Sequence, residues 1–378
     1  MATIPSIAMI PSGVKASKLY SVLPTDGTGD FTTTRASVAT RVNENGLIEE
    51  VAANVPRLDY SDGSCPSLLL EPTATNLIPY SEDFSNGAWT KGGDTVVSGG
   101  FLSPDGTNNA YKVSGTTSAL TSNYNPLDSL THSRTIYAKT VSGSGLLHLC
   151  SHNSNADSLF TITEEWQRFE VNGYNSTGSN NFYAVDFRGS STLTEVLIWG
   201  ASAEANSYAT SYIKTVGTAQ TRSADTATGS GNSTVINSSE GVLYFEGKSL
   251  NNTVALNRKI SLGDGSFNNG VEFGYQNTTN KMQFIIRSGG VISMNIETTI
   301  FDVTEFNKIA ISYKSNEGKV FVNGSQIGVT DTTVVIPIGL SQLDFNLSTS
   351  FDFEGKTKDL RVYTTALSDA ELTTLTTI

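Results

Sequence analysis

Pairs of carboxylates are the residues of this 378-residue chain that could do hydrolytic chemistry. Cleavage of a glycosidic bond requires two of them at a fixed separation, one as acid and one as base or nucleophile. The closest pairs are Asp352 with Glu354, beside a strand-like segment, and Glu164 with Glu165, where a turn meets a strand. Both pairs are predicted to be solvated charges at strand ends. We therefore expect no enzymatic activity from this chain.

The histidines provide no catalytic arrangement either. His132, His148 and His152 are the only three, and no nucleophile-elbow motif accompanies them. In a strand, His148 would lie on the opposite face from the leucines on its two sides, so it is predicted to be a surface residue. Because Cys65 and Cys150 add no zinc-like spacing, we expect two unpaired, partly buried thiols and no cofactor.

Composition bounds the class of protein and its partners. Only 16% of the residues are charged, and Gly, Ser, Thr and Asn are abundant, which is typical of a turn-rich β protein. The formal charge of −12 argues against binding to nucleic acid or to anionic membranes. No apolar run is long enough for membrane insertion, and the first residues lack the basic start and apolar core of a secretion signal.

Short apolar segments separated by Gly, Ser and Asn clusters predict an all-β fold. Residues 1–75 are too poor in apolar residues for a large core, so we predict an extended region that packs on the next domain or on a partner. Residues 76–215 and 239–378 are predicted to form two jelly-roll β-sandwiches. Residues 216–238 are rich in Gly, Ser and Thr and are predicted to be the linker between them.

The end of the chain carries the first resemblance to a known family. Ser368 and Glu371 form a capping box, so a strand-like segment is predicted to run into a short helix there. Gly355 is predicted to supply a turn before this strand. The ending, together with two strand-like segments upstream, resembles the laminin G / concanavalin A-like lectin family. The matching segments are residues 306–313, 319–324 with Asn323-Gly324 as a hairpin turn, and 360–372.

The resemblance to this family implies a carbohydrate-binding architecture. Its catalytic relatives carry a Glu-x-Asp-x-x-Glu strand, which does not occur here. Lectin-like sandwiches often bind calcium at loop carboxylates, and Asp264 could serve in this way, although Asp-Gly is also an ordinary turn pair. Trp166 and Trp199 are predicted to pack in the core. The candidates for glycan binding, through ring stacking or amide hydrogen bonds, are Trp89, Phe267, Asn269, Tyr275 and Gln276.

A second resemblance connects the N-terminal region with the first sandwich. Several segments resemble one that is common in bacteriophage tail and fibre proteins, where it leads into a carbohydrate-binding-like β-sandwich module. One departure is Ser202, where the pattern usually has Gln. The matching segments are residues 34–43, 46–49, 54–60, 65–72 and 76–84 and, at the exit of the sandwich, 199–204, 208–213 and 221–225.

Together the resemblances imply a bacteriophage virion structural protein, either a tail fibre or a decoration of the capsid or collar, made in the host cytoplasm. Residues 1–75 would dock on other virion proteins, the chain would form a homo-oligomer with a trimer favoured, and the lectin-like domains would bind a host surface glycan. The alternatives are a purely structural decoration and a polysaccharide-degrading enzyme. The residues predicted to be buried in assembly contacts are Leu19, Tyr20, Leu23, Leu47 and Ile48.

Overall fold

Strands make up nearly all of the regular structure of this protein, as the short alternating segments predict. The computed structural model describes residues 3–122, 131–151, 158–175, 182–252, 258–348 and 351–378. It is 49% strand and 3% helical, so the predicted all-β fold class is confirmed. Within these residues, no helix has the length and apolar character needed to span a membrane.

The chain divides into two units, each assembled from separate stretches of sequence. The C-terminal unit consists of Met1–Ala36, Val51–Pro72 and Ala224–Ile378, and the middle unit consists of Ser37–Glu50 and Thr73–Ser223. The N-terminal 75 residues are therefore shared between the units and do not form the separate arm that their composition predicts. The predicted linker likewise contributes one strand to each unit.

The larger sheet of the C-terminal unit takes in three strands from the N-terminal region, and all of its strand pairs are antiparallel. The turn Asn323-Gly324 has positive φ at both residues, as the predicted hairpin requires. In order across the sheet the strands are β29 (Ser325–Asp331), β28 (Glu317–Val322), β27 (Asn307–Lys314), β22 (Glu240–Ser249), β31 (Gly355–Tyr363), β8 (Ser67–Leu70) and β7 (Arg57–Asp59), and β1 (Ile7–Met9) also pairs with β31.

A smaller sheet completes the sandwich of the C-terminal unit. Its apolar side chains share one core with those of the larger sheet, as the Phe245 and Phe273 rings show with centroids 5.2 Å apart. The predicted helix is confirmed as α1 (Asp369–Thr376), with the Ser368–Glu371 capping box formed. The smaller sheet has the order β26 (Val291–Thr298), β25 (Met282–Ser288), β24 (Gly270–Tyr275), β23 (Arg258–Gly263) and β30 (Gln342–Asp344).

A third sheet in the C-terminal unit again joins N-terminal strands to a later one. Phe31 and Ala227 from this sheet reach the same core as the sandwich. Its strands are β2 (Val14–Lys15), β3 (Lys18–Leu19), β4 (Phe31–Thr34) and β21 (Thr226–Thr228).

The middle unit is a second β-sandwich, with two five-stranded sheets around one apolar core. One sheet has the order β10 (Trp89–Lys91), β13 (Ala119–Ser122), β18 (Phe182–Asp186), β15 (Gly145–Ser151) and β16 (Leu159–Ile162). The other has the order β11 (Val96–Phe101), β12 (Ala110–Ser114), β19 (Glu195–Glu204), β14 (Thr131–Lys139) and β17 (Gln167–Asn175). Two short pairs accompany them: β5 (Ala39–Val42) with β6 (Ile48–Val51), and β9 (Ala74–Asn76) with β20 (Gln220–Arg222).

Two of the five residues predicted to form assembly contacts lie in the cores of their own units. Leu19 is fully buried in the core of the C-terminal unit, and Ile48 is buried in an apolar cluster of the middle unit. Apolar side chains placed there are not available to a partner, so the prediction is wrong for these two. Tyr20, Leu23 and Leu47 keep exposed surface, and their assembly role stays a prediction.

A buried charge cluster in the C-terminal unit is built from the segments that resemble the phage pattern. The Asp225 carboxylate accepts hydrogen bonds from Arg35, at 2.9 Å, and from Arg57, and Arg57 Nη1 also lies 2.6 Å from Glu71 Oε2. Burial lowers the pKa of Arg57, but the two carboxylates outweigh this effect and raise it above its ordinary value. These residues of the pattern therefore hold the fold together.

The two cysteines are unpaired, as predicted, but their surroundings differ. Cys65 is exposed and Cys150 is buried, and burial raises the pKa of the Cys150 thiol well above its usual range. Because the thiolate is the reactive form, we expect a thiol reagent at pH 8 to modify one equivalent in the native protein and two after denaturation. Cys65→Ser should abolish the native reaction, and rapid labelling of that variant would contradict the burial of Cys150.

Candidate functional site

The smaller sheet of the C-terminal unit has one apolar face and one polar face. In β24, Val271, Phe273 and Tyr275 point into the core, whereas Glu272 lies on the opposite side, because successive side chains of a strand alternate. We call this opposite side the outer face. The pairing register places on it one buried apolar residue, Ile285, and the polar residues Lys259, Ser261, Glu272, Gln283, Arg287, Asn295, Glu297, Gln342 and Asp344.

An ion triad lies at the centre of the outer face. Glu272 is only 1% exposed, its Oε2 lies 3.5 Å from Lys259 Nζ, and its Oε1 accepts a 3.1 Å hydrogen bond from Arg287 Nε. Burial lowers the pKa of Lys259, against the opposing effect of Glu272. Because both of its oxygens are engaged by cations, Glu272 is not placed to donate a proton as the acid of a glycosidase does.

Amide side chains continue this polar network across the sheet. Lys259 Nζ donates to Gln283 Oε1 at 3.2 Å, and Gln283 Nε2 lies 3.1 Å from both Asn295 Oδ1 and Glu297 Oε1. Gln276 donates to the same Gln283 oxygen. Asn295 and Glu297 are exposed, so the network begins at the buried triad and ends at the surface.

An exposed aromatic ring stands at one end of the outer face. Phe267 is 46% exposed, and the guanidinium carbon of Arg287 lies 4.3 Å from its ring centroid. The loop that carries Phe267 is fixed by its own side chains. Asp264 accepts hydrogen bonds from the Ser266 backbone at 2.9 Å and from Asn269 Nδ2 at 2.8 Å. Asn269 in turn accepts one from the Gly289 backbone at 2.9 Å, which ties the loop to the neighbouring hairpin.

A second carboxylate lies at the edge of the sheet. Asp344 accepts hydrogen bonds from the Gly229 backbone at 2.6 Å and from Gln342 Nε2 at 2.7 Å. Burial nevertheless raises its pKa. Asp344 and Glu272 flank Ser261 on neighbouring strands, which puts their Cα atoms about 10 Å apart.

The outer face combines the features that recognition of a sugar requires. The exposed Phe267 ring offers a flat surface for the C–H face of a sugar ring. Asn269 and Arg287 near the ring, and the amides of Gln276 and Gln283 farther along the sheet, offer donors and acceptors for hydroxyl groups, and the triad and the loop hydrogen bonds hold them in place. Such a preorganised surface favours binding and does not by itself provide a reaction.

Three of the five predicted glycan-binding residues lie at the rim of this face, and two do not. Phe267 and Asn269 lie at one end of β24, and Gln276 lies at the other end. Tyr275 points into the core instead, because it has the opposite strand parity to its neighbour Gln276. Trp89 is 2% exposed, and its indole N–H donates to the Tyr80 carbonyl inside the middle unit. Neither buried ring offers a face to a sugar, so both predictions are wrong.

Asp264, the residue predicted to bind calcium, uses its carboxylate to hold the turn in which it lies. Both oxygens of Asp264 accept hydrogen bonds from its own loop, and these hydrogen bonds lower its pKa although burial opposes them. Among the described residues, no group of three or more His, Cys, Asp or Glu side chains is close enough to hold a metal ion.

Other residues of the sequence analysis are placed differently from their predictions. Glu354 is buried in an ion pair with Arg258 at 2.6 Å and is therefore not a solvated charge. His148 does lie opposite its leucine neighbours, but it is buried, with Nδ1 3.1 Å from Ser158 Oγ, so the predicted surface position is wrong. His152 falls outside the described residues.

The residues that the sequence analysis missed are the charged members of the outer face. A signal exists for Glu272, which lies between Val271 and Phe273 in an apolar strand segment. Lys259 and Arg287 each have an apolar neighbour on one side only. A charged residue between buried apolar neighbours marks the second face of a strand. Which of these residues meet depends on the register of separate strands, which the pattern of one strand does not contain.

Comparisons with known proteins agree with this architecture. Residues 250–373 match the model of the concanavalin A-like lectin/glucanases superfamily. The C-terminal unit thus contains a concanavalin A-like lectin domain of the laminin G type, and the outer face belongs to that domain. No match was found among curated protein sequences.

Several solved structures show partial similarity. One is the carbohydrate-binding module CBM40 of the Ruminococcus gnavus IT-sialidase bound to α2,3 sialyllactose, with 18% identity over 39% of this chain and 93% of that one, and a TM-score of 0.33. Another is domain 4 of AbnA, a GH43 extracellular arabinanase from Geobacillus stearothermophilus, in complex with arabinotriose. It has 15% identity over 40% of this chain and 73% of that one, with a TM-score of 0.33. These similarities do not indicate a ligand for this chain.

Proposed function

We propose that this chain is a bacteriophage virion structural protein, either a tail fibre or a decoration of the capsid or collar, that binds a host surface glycan without cleaving it. The outer face of the C-terminal sheet is the glycan-binding surface. The observation that carries this proposal is the exposed Phe267 ring, which rests on Arg287 and stands in the same loop as the Asn269 amide. The amides of Gln276 and Gln283 lie toward the other end of β24 and extend the polar surface along the sheet.

Binding without catalysis is supported by the positions of the carboxylates. Glu272 is engaged by Lys259 and Arg287, and Asp344 accepts two hydrogen bonds at the edge of the sheet. A weak site on each chain is sufficient to attach a virion to its host, because many copies of the chain on one particle raise the apparent affinity. A homo-oligomer, with a trimer favoured, fits this use.

The virion role is supported by the segments that resemble phage tail and fibre proteins. Those segments supply the buried cluster of Arg35, Arg57, Glu71 and Asp225 and so belong to the folded part of the chain. If the role is correct, antibodies against this chain will detect it in purified particles of the phage that encodes it. Its absence from infectious particles would rule out the virion role and leave the glycan-binding proposal standing.

The glycan-binding proposal is tested by replacing the exposed ring. We expect the protein to co-elute with a bacterial capsular polysaccharide or O-antigen chain from a purified panel, with no change in the length of the polysaccharide. Phe267→Ala should weaken this binding at least about tenfold, since loss of an aromatic contact that anchors a ligand costs about 1.4 kcal/mol or more. Size-exclusion chromatography and surface plasmon resonance measure both effects.

The matched control for this experiment is Phe306→Ala. Phe306 also has cations over its ring, Lys248 at 4.9 Å and Lys358 at 3.8 Å from the centroid, but it lies outside the outer face. Binding by this variant should equal that of the unchanged protein. Shortened polysaccharide would establish the enzyme alternative, and no binding to any member of the panel would favour the purely structural alternative.

A further inference from the structure

The middle unit contains two adjoining cavities of about 310 and 410 Å³. Glu82 and Lys214 line both of them, and their side chains pair at 2.8 Å where the cavities meet. Neither cavity belongs to the outer face described above, and no residue predicted to bind glycan lines either one.

Two aromatic residues form one wall of the smaller cavity. The rings of Trp199 and Tyr212 lie with centroids 4.6 Å apart, and both side chains are almost fully buried. The Tyr212 hydroxyl donates to Glu82 Oε1 at 2.9 Å and lies 2.6 Å from Ser81 Oγ. Burial raises the pKa of Tyr212 well above its ordinary value, so this hydroxyl keeps its proton.

The polar atoms of these cavities are incompletely satisfied within the chain. Trp199 is 1% exposed, and its indole N–H has no hydrogen-bond acceptor among the residues that the structure describes. In the adjoining cavity, Asn109 donates to Glu82 and Asp105, both at 3.2 Å, but no donor in the described part of the chain reaches its buried Oδ1. Because a buried donor or acceptor without a partner costs free energy, such atoms point to a ligand that supplies the partner.

The charge of the lining restricts the ligand. The residues that line the two cavities include one cation, Lys214, and five carboxylates, of which Glu82 pairs with Lys214 and Glu49 pairs with Arg41. Burial lowers the pKa of Lys214, but the hydrogen bond to Glu82 and the surrounding carboxylates outweigh this effect and raise it. Lys214 is therefore charged, and its charge is already paired with Glu82. The excess negative charge repels acidic ligands. The carboxylates are Glu49, Glu50, Glu82, Asp83 and Asp105.

We propose that these cavities are a second saccharide site, selective for sugars that carry an amine or no charge. A hydroxyl group accepts from the Trp199 N–H and donates to the carboxylates or to Asn109, and an ammonium group pairs with the excess carboxylates. The site deepens the glycan-binding function proposed above and rests on it. It differs from the outer face, where Lys259 and Arg287 supply cationic groups.

Calorimetric titration of the full chain at pH 6 tests this site with three probes of matched size: the β1,4-linked dimers of glucosamine and of glucose, and a dimer of glucuronic acid. The glucosamine dimer should bind most tightly, and the glucuronic acid dimer at least about tenfold more weakly. Trp199→Phe retains a ring and removes the N–H, and it should weaken binding of the glucosamine dimer by about fivefold to tenfold.

Two further variants keep this test decisive if Trp199→Phe folds poorly. Glu50 is an exposed residue of the cavity lining. Glu50→Gln should weaken binding of the glucosamine dimer by about threefold and leave the affinity for the glucose dimer unchanged. Glu165 is exposed in the same unit and does not line either cavity, so Glu165→Gln is the matched control and should change neither affinity.

The outcomes separate this inference from the proposed function. Binding of the glucosamine dimer that resists Phe267→Ala but responds to Trp199→Phe or Glu50→Gln supports the second site. Binding that is lost in Phe267→Ala alone, or a glucuronic acid dimer that binds as tightly as the glucosamine dimer, overturns the second site and leaves the outer face intact. If neither the dimers nor the polysaccharide panel bind, the inference and the proposed glycan-binding function both fail.

Discussion

Replacing Asp225 by Asn is expected to lower the free energy of unfolding of the C-terminal unit by about 3–5 kcal/mol. The Asp225 carboxylate is the shared acceptor of Arg35 and Arg57, and it also accepts the backbone N–H of Glu71 at 3.1 Å. Both guanidinium groups are almost completely buried. An amide in this position removes the carboxylate that the two guanidinium groups share and turns an N–H group toward a cation, while Glu71 remains paired with Arg57.

Chemical denaturation followed by circular dichroism measures this loss. All three tryptophans, at positions 89, 166 and 199, lie in the middle unit, so their fluorescence reports that unit separately. The matched control is Asp369→Asn, because Asp369 forms a 2.7 Å ion pair with Lys319 but its side chain is 61% exposed. Such a surface pair contributes about 1 kcal/mol or less.

A loss of less than about 1 kcal/mol in Asp225→Asn would contradict the role given to this cluster, since it would mean that the two arginines find other partners without cost. Arg35 also donates to the backbone carbonyls of Ala52, at 2.6 Å, and Val55, at 3.0 Å. These bonds hold the chain around the cluster but carry no compensating negative charge. We therefore expect them to limit the structural change and not the energetic loss.

The sequence predicts the fold class and its local elements better than the division into units. The Asn323-Gly324 hairpin and the helix capped by Ser368 depend on residues next to one another, so local chemistry is sufficient for them. The N-terminal 75 residues lack the apolar content for a core of their own, and composition alone suggests an arm. In the structure, most of their strands complete sheets with strands that are distant in the sequence, as β1 does with β31 and β4 with β21.

The candidate site divides in the same way between local and long-range information. Phe267, Asn269 and Gln276 are found from sequence because they lie in turns, where side chains that are not needed for the core remain at the surface. The prediction for Tyr275 is wrong because alternate residues of a strand point to opposite faces, and its position at the end of β24 directs its ring into the core. The cavities of the middle unit bring Glu50, Glu82, Asn109 and Trp199 together from four separate stretches, which no spacing motif indicates.

Gly355→Ala is expected to destabilise the C-terminal unit by about 3 kcal/mol. The sequence predicts a turn at this glycine, but Gly355 is the first residue of β31, and its φ is not in the left-handed region. The close approach of other groups requires glycine here. A Cβ at this position would lie 2.8 Å from Cζ of Phe353 and even closer to the Lys248 carbonyl oxygen.

The cost of this substitution arises because neither neighbour can move independently. Lys248 belongs to β22, which pairs with β31 on one side and β27 on the other, and Phe353 is buried in the core. Gly13→Ala is the matched control in the same unit, because its added Cβ meets only Tyr20, at an ordinary 3.5 Å, and should change stability by less than about 1 kcal/mol. Denaturation curves of the two variants compare these effects directly. Equal stabilities would show that β22 shifts away from β31 at no cost, which would contradict the tight pairing at the centre of the larger sheet.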